Sequence, residues 1–145
     1  MSRSGDATDP TSLGDPTTGP GEYTLCVYDE TAGVPSVALH AAAPFGGTCG
    51  SGKPCWKPTG NGFRYKDSIG TPAGLLSLSM RAGAAGQSRV TVRGRGPALG
   101  LPTLPLHQDT RVTVQLKKSG GGACFDAKYG TSTRNTAGQF SAKAD

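Results

Sequence analysis

The chain has 145 residues, enough for one domain with a single core. Hydrophobic residues make up only 34%, and 23 glycines with 11 prolines argue against long helices and for short strands joined by many turns. The net charge of +5 permits an anionic partner without requiring one, and no apolar run is long enough to span a membrane as a helix.

Residues 1–21 are mostly Gly, Pro, Asp, Ser and Thr and read as an irregular lead-in, with no apolar stretch of the secretory-signal kind. Residues 22–145 read as one β-domain. "EYTLCVYD" alternates, with Tyr23, Leu25 and Val27 on one face and Thr24, Cys26 and Tyr28 on the other. "PSVALHAA" repeats the pattern with Val37, Leu39 and Ala41. The next stretch, "GGTCGSGKPC", satisfies most of a phosphate-binding G-x4-G-K-[S/T] loop. Pro54 replaces the hydroxyl residue that would hold Mg²⁺, and further glycines and prolines forbid the helix that must follow. No nucleotide site is expected there, and two cysteines inside the loop suggest a small covalent ring instead.

"PCWKP" and "GFRYKD" are short strands around aromatic residues, and "GLLSLSMRAG" places Leu76, Leu78 and Met80 together. "SRVTVRGRG" puts Val90 and Val92 inward and Arg89, Thr91 and Arg93 outward. "GPALGLPTLPLHQDT" has no strand-length run free of proline and reads as a crossing loop. "RVTVQLKK" sends Val112, Val114 and Leu116 inward; "GACFDAKYG" does so with Ala123, Phe125, Ala127 and Tyr129. A last short strand is expected near Phe140. Seven or eight short strands predict an antiparallel β-sandwich, jelly-roll or immunoglobulin-like, in preference to a closed barrel.

Cys26, Cys49, Cys55 and Cys124 are an even set, and their spacing matches no paired zinc pattern, which favours disulfides over reduced buried thiols. Of three connectivities, Cys49–Cys55 with Cys26–Cys124 is the expected one. The first closes the Gly-rich loop; the second ties an early strand to a late one, as sandwiches often do. Disulfides imply export, so the chain is expected to be a piece of a longer exported polypeptide, or a mature form, placed outside the cell or at its surface.

Cys26-Val27-Tyr28-Asp29, then Cys55-Trp56-Lys57, then Gly62-Phe63-Arg64-Tyr65-Lys66-Asp67 resemble an uncharacterised β-rich module of large secreted or surface proteins of bacteria. The run Arg81–Gly86, the strand Val90–Gly96, Val112–Leu116 and Cys124-Phe125 are similar too. The resemblance covers roughly residues 3 to 143 and implies location and architecture, with no activity attached. In that family a Trp-rich strand typically precedes the "SRSGDATD" stretch, so the resemblance implies an N-terminally truncated module, or a gene fragment in which Met1 is a start inside a longer frame.

Neither His40 nor His107 has a recognisable catalytic neighbourhood in the sequence, and both read as structural or surface residues. Asp29 and Asp67 are the most tempting carboxylate pair for glycoside hydrolysis, but their settings are strand-end turns, where Asp serves local backbone hydrogen bonds. Trp56, Phe63 and Tyr65 are expected inside, with Tyr28 as the exposed exception. The sharper candidate is basic. Arg89, Arg93 and Arg95 share one strand face, Arg111 and Lys117 another, and pairing of those strands would line five cations on one sheet face. Such a face suits anionic polysaccharide or another cell-surface polymer, whereas the lack of interleaved aromatics argues against nucleic acid. The plainer role of such residues is to keep exposed strands soluble. The expected function is therefore a non-catalytic module for binding, adhesion or structural spacing, with neighbouring copies or domains as further partners and no cofactor. The alternatives are a carbohydrate-binding module and, more remotely, a small secreted hydrolase.

Overall fold

A computed structural model describes residues 2–3, 7–50 and 52–145. Met1, Ser4, Gly5 and Asp6, three of them within the "SRSGDATD" stretch, and Ser51 of the Gly-rich loop lie outside the described residues. In chain order the strands are β1 (Ser2–Arg3), β2 (Glu22–Thr31), β3 (Val34–Pro44), β4 (Thr48–Cys49), β5 (Lys53–Pro54), β6 (Trp56–Thr59) and β7 (Gly62–Lys66). They continue with β8 (Leu75–Arg81), β9 (Arg89–Gly94), β10 (Val112–Lys118), β11 (Cys124–Tyr129), β12 (Ser132–Thr136) and β13 (Gln139–Ala142). The fold is the expected antiparallel sandwich, with more strands than the seven or eight foreseen, because the short hairpins β4–β5 and β12–β13 are built from residues read as turn and tail.

A five-stranded sheet of order β1-β9-β8-β7-β6 faces a four-stranded sheet of order β11-β10-β2-β3. Four consecutive strands, β6 to β9, thus stay together as a meander, while the opposing sheet joins β2 and β3 to β10 and β11. The Pro-rich stretch after β9 makes the crossing between sheets, as expected, and buries Leu99 and Leu106 on the way. No helix among the described residues is long and apolar enough to cross a membrane.

Alternation supplies the core. Leu78, Met80, Val90 and Val92 from the first sheet meet Tyr23, Leu39, Ala41, Ala43 and Leu116 from the second. A register shift between Leu75 and Ser77 changes one detail: Leu75 is buried where the sequence suggested Leu76. At one end four aromatic rings pack together, Tyr23 on Trp56 at 5.8 Å and Trp56 on Tyr65 at 5.2 Å between centroids, with Phe45 edge-on to Trp56. Their polar atoms are served: Tyr23 donates to the Leu13 carbonyl at 2.7 Å and Trp56 Nε1 to the Pro44 carbonyl at 2.7 Å. Trp56 and Tyr65 are interior residues, and Phe63 is partly buried against the same core.

The lead-in is more integrated than its composition suggests. A 3₁₀ turn at Pro10–Leu13 is capped by Asp9 and buries Leu13 completely. β1 pairs with β9, and Thr8 bridges Gly83.

Candidate functional site

The register of the first sheet sorts its side chains by row. Trp56, Tyr65, Leu78 and Val92 form one inward row, and Pro58, Phe63, Met80 and Val90 another. The intervening rows face out: Lys57–Arg64–Ser79–Thr91, Thr59–Gly62–Arg81–Arg89 and Lys66–Ser77–Arg93. Lys57, Arg64, Lys66, Arg81, Arg89 and Arg93 are all exposed. β6 to β9 contain no Asp or Glu, so among the described residues these four strands present six cations and no acid on this face. Lys57 stands directly opposite Arg64, and Arg81 directly opposite Arg89. Like charges in such cross-strand pairs repel.

Beside this face lies the β4–β5 hairpin. The Cys49–Cys55 disulfide closes it, as the sequence suggested, with Cα atoms 4.9 Å apart. The Gly-rich loop is therefore a disulfide-clipped hairpin leading into a strand, and no helix follows it. Cys55 is tied to β7 by a 2.8 Å hydrogen bond from Lys66 N–H to its carbonyl, and Cys49 Sγ lies 3.9 Å from the Tyr65 hydroxyl. Burial, helped by the neighbouring Asp67 carboxylate, pushes the Tyr65 phenol up to about 12. Between hairpin and sheet opens a cleft of about 370 Å³, lined by Cys49, Lys53, Pro54, Cys55, Lys57, Arg64, Lys66 and Ser68. Four of those eight are cationic, and none is acidic.

The five-cation face expected from Arg89, Arg93, Arg95, Arg111 and Lys117 does not form. β9 and β10 belong to different sheets, so their outward faces point away from each other. Arg89 and Arg93 lie on the first sheet's outer face, and exposed Arg95 follows β9, its N–H bonded to the Gly74 carbonyl. Arg111 precedes β10 and pairs with Glu30 at 3.8 Å. Lys117 occupies the outer face of the second sheet, where its Nζ donates to the Tyr28 hydroxyl at 3.1 Å and lies 5.4 Å from that ring's centroid. That hydrogen bond holds the ammonium pKa above its ordinary value. The residues missed were Lys53, Lys57, Arg64, Lys66 and Arg81. Their signal was present, since Arg64 and Lys66 alternate with Phe63 and Tyr65, but which strands lie side by side was not legible.

The Cys26–Cys124 bridge does not form either. Both cysteines are free, Cys26 buried and Cys124 exposed. β2 and β11 flank β10 on opposite sides, with Cys26 opposite Gln115 and Cys124 opposite Lys117. Two strand spacings of about 4.8 Å and an offset of two residues along the strands put them roughly 12 Å apart, whereas a disulfide requires Cα atoms within about 7 Å.

The carboxylate pair separates. Asp29 lies on the second sheet, accepting from Ser36 Oγ and His107 N–H. Buried Asp67 follows β7 and accepts from the N–H groups of Ile69 and Thr71. Each ties down backbone or a neighbouring hydroxyl. His40 and His107 are exposed, on different segments.

No protein-family model, curated protein or solved structure matches this chain. The site's chemistry rests on its own geometry: an open, acid-free cationic sheet face with a cleft at one edge, suited to donating hydrogen bonds and positive field to anions.

Proposed function

We propose that this domain is a non-catalytic binding module that holds an anionic polysaccharide or a similar cell-surface polymer along the outer face of its first sheet. One observation carries the reading. Lys57 opposes Arg64 and Arg81 opposes Arg89 across neighbouring strands, on a face whose strands contain no carboxylate. A face kept soluble by charge alone does as well, and costs less, with mixed signs. Opposed cations without acids are relieved by a polyanion lying across them. The burial of Trp56 and Tyr65 favours charge over sugar stacking on this face, since their rings are spent in the core.

The disulfide supports an extracellular or surface setting, because such bonds persist in oxidising compartments. The resemblance to the β-rich module of large secreted bacterial proteins points the same way.

The test is retention on a sulfated polymer such as heparin across a salt gradient. Arg89→Glu with Arg93→Glu should weaken binding by roughly tenfold or more at low salt, with the effect fading as salt rises. Lys117→Glu with Lys128→Glu makes the same charge change on the opposite sheet and should cost far less. Equal losses in the two double variants would overturn the reading.

A further inference from the structure

We propose that the cleft between the disulfide hairpin and β6–β7 is a discrete subsite for one tetrahedral anionic ester group, a sulfate or phosphate monoester on a sugar. The inference rests on the polyanion reading of the outer face and gives the cleft a separate role, that of gripping a single charged substituent while the open face contacts the rest of the chain.

The observations converge on this edge of the sheet. Lys57 and Arg64 are cross-strand partners, and Lys66 follows Arg64 on the same outward face. Lys53 reaches the cleft from a different pair of strands, β4–β5. Its placement depends on the hairpin, which the Thr48–Pro54 and Cys49–Lys53 pairs, the Cys49–Cys55 bond and a hydrogen bond from Cys55 N–H to the Gly47 carbonyl hold closed. This cleft, with Pro54 and both cysteines of the disulfide among its lining residues, has a volume of about 370 Å³. Sites for small ligands run from about 300 to 1,000 Å³, so the space takes a sugar-sized group and not a polymer. Three ammonium groups, one guanidinium and the Ser68 hydroxyl offer more donors than two carboxylate oxygens can use. A sulfate or phosphate ester presents three terminal oxygens and accepts bidentate bonding from Arg64 with ammonium contacts around it.

Titration of the full chain with glucose 6-sulfate and glucose 6-phosphate, at fixed ionic strength, tests this directly. One of the two should bind saturably at a single site, and the tighter of them identifies the ester. Lys53→Gln and, separately, Lys66→Gln should each weaken that binding by about tenfold, the worth of one charge-assisted contact. Arg81→Gln removes the same charge from the same sheet outside the cleft and should change it by less than about twofold. All three side chains are exposed, and an unchanged melting midpoint verifies folding. Absence of saturable binding, or equal weakening by Lys53→Gln and Arg81→Gln, overturns the subsite. Those outcomes leave the polymer reading intact if Arg89→Glu with Arg93→Glu still weakens heparin retention as expected. Conversely, ester binding that depends on Lys53 in a chain that ignores heparin would sustain the cleft and sink the polymer surface.

Discussion

Gly62 sits on the outward row of β7, between Thr59 of β6 and Arg81 of β8, and its lack of a side chain is a packing requirement. A Cβ built there would collide with the Met80 carbonyl oxygen and come within 3.0 Å of Arg81 Cα, both backbone atoms that cannot swing aside. Gly62→Ala must therefore push β8 away from β7, at a cost of roughly 2 kcal/mol or more by analogy with overpacked cores. Urea denaturation reads this as a lower midpoint at unchanged slope. The spreading would also disturb the cationic rows that flank Gly62, so polymer affinity should fall with stability. Gly74 is constrained in a related way: φ is +74° and a Cβ would approach Leu99 N within 2.5 Å, where the crossing loop closes over the sheet.

At the scale of elements, β10 decides the fate of the cysteines. It lies between β2 and β11, so the two free thiols share a sheet face but not a neighbouring strand. Cys124 is exposed on the edge strand, whereas Cys26 on β2 is 7% exposed. A thiol reagent should therefore label one cysteine in the native protein, Cys124, and a second, Cys26, only after unfolding. Non-reducing peptide mapping should find a single disulfide, between Cys49 and Cys55. A recovered Cys26–Cys124 peptide would contradict the order of this sheet. The β4–β5 hairpin shows the opposite regime, since its cysteines lie close in sequence and a Gly-rich turn is enough to bring them together.

Across the whole molecule, the aromatic cluster couples the two sheets and makes stability sensitive to alkali. The Tyr65 phenol is pushed from its ordinary value near 10 up to about 12 by burial and by Asp67, and burial also raises that of Tyr23. The folded state therefore keeps phenol protons that the unfolded chain releases. Their contribution to stability is complete below pH 10; that of Tyr65 is lost as pH rises from about 10 through about 12 and that of Tyr23 at higher pH still, because the native state then binds more protons than the unfolded one. Denaturant midpoints measured across that window should fall with pH. In Tyr65→Phe the fall should be shallower, and if the slope is unchanged the phenol has no part in it.

Much of this molecule follows from its residue order. Period-two alternation assigns the faces of β2, β9, β10 and β11, because a strand's side chains must point to opposite sides. Gly and Pro density dictates short strands, the Pro-rich stretch has to be a crossing, and the closeness of Cys49 to Cys55 makes their ring local. Alternation stops at the single strand, however. It says which side Arg93 and Lys117 face, but not that β9 and β10 lie in opposite sheets, which scatters the five cations expected together. Nor does it reveal that β6, β7 and β8 align Lys57 with Arg64 and set Arg81 against Arg89, or that β10 separates Cys26 from Cys124. Strand adjacency is settled by how two apolar faces of different strands close over one core, a long-range matter of burial and chain crossing that no local pattern encodes.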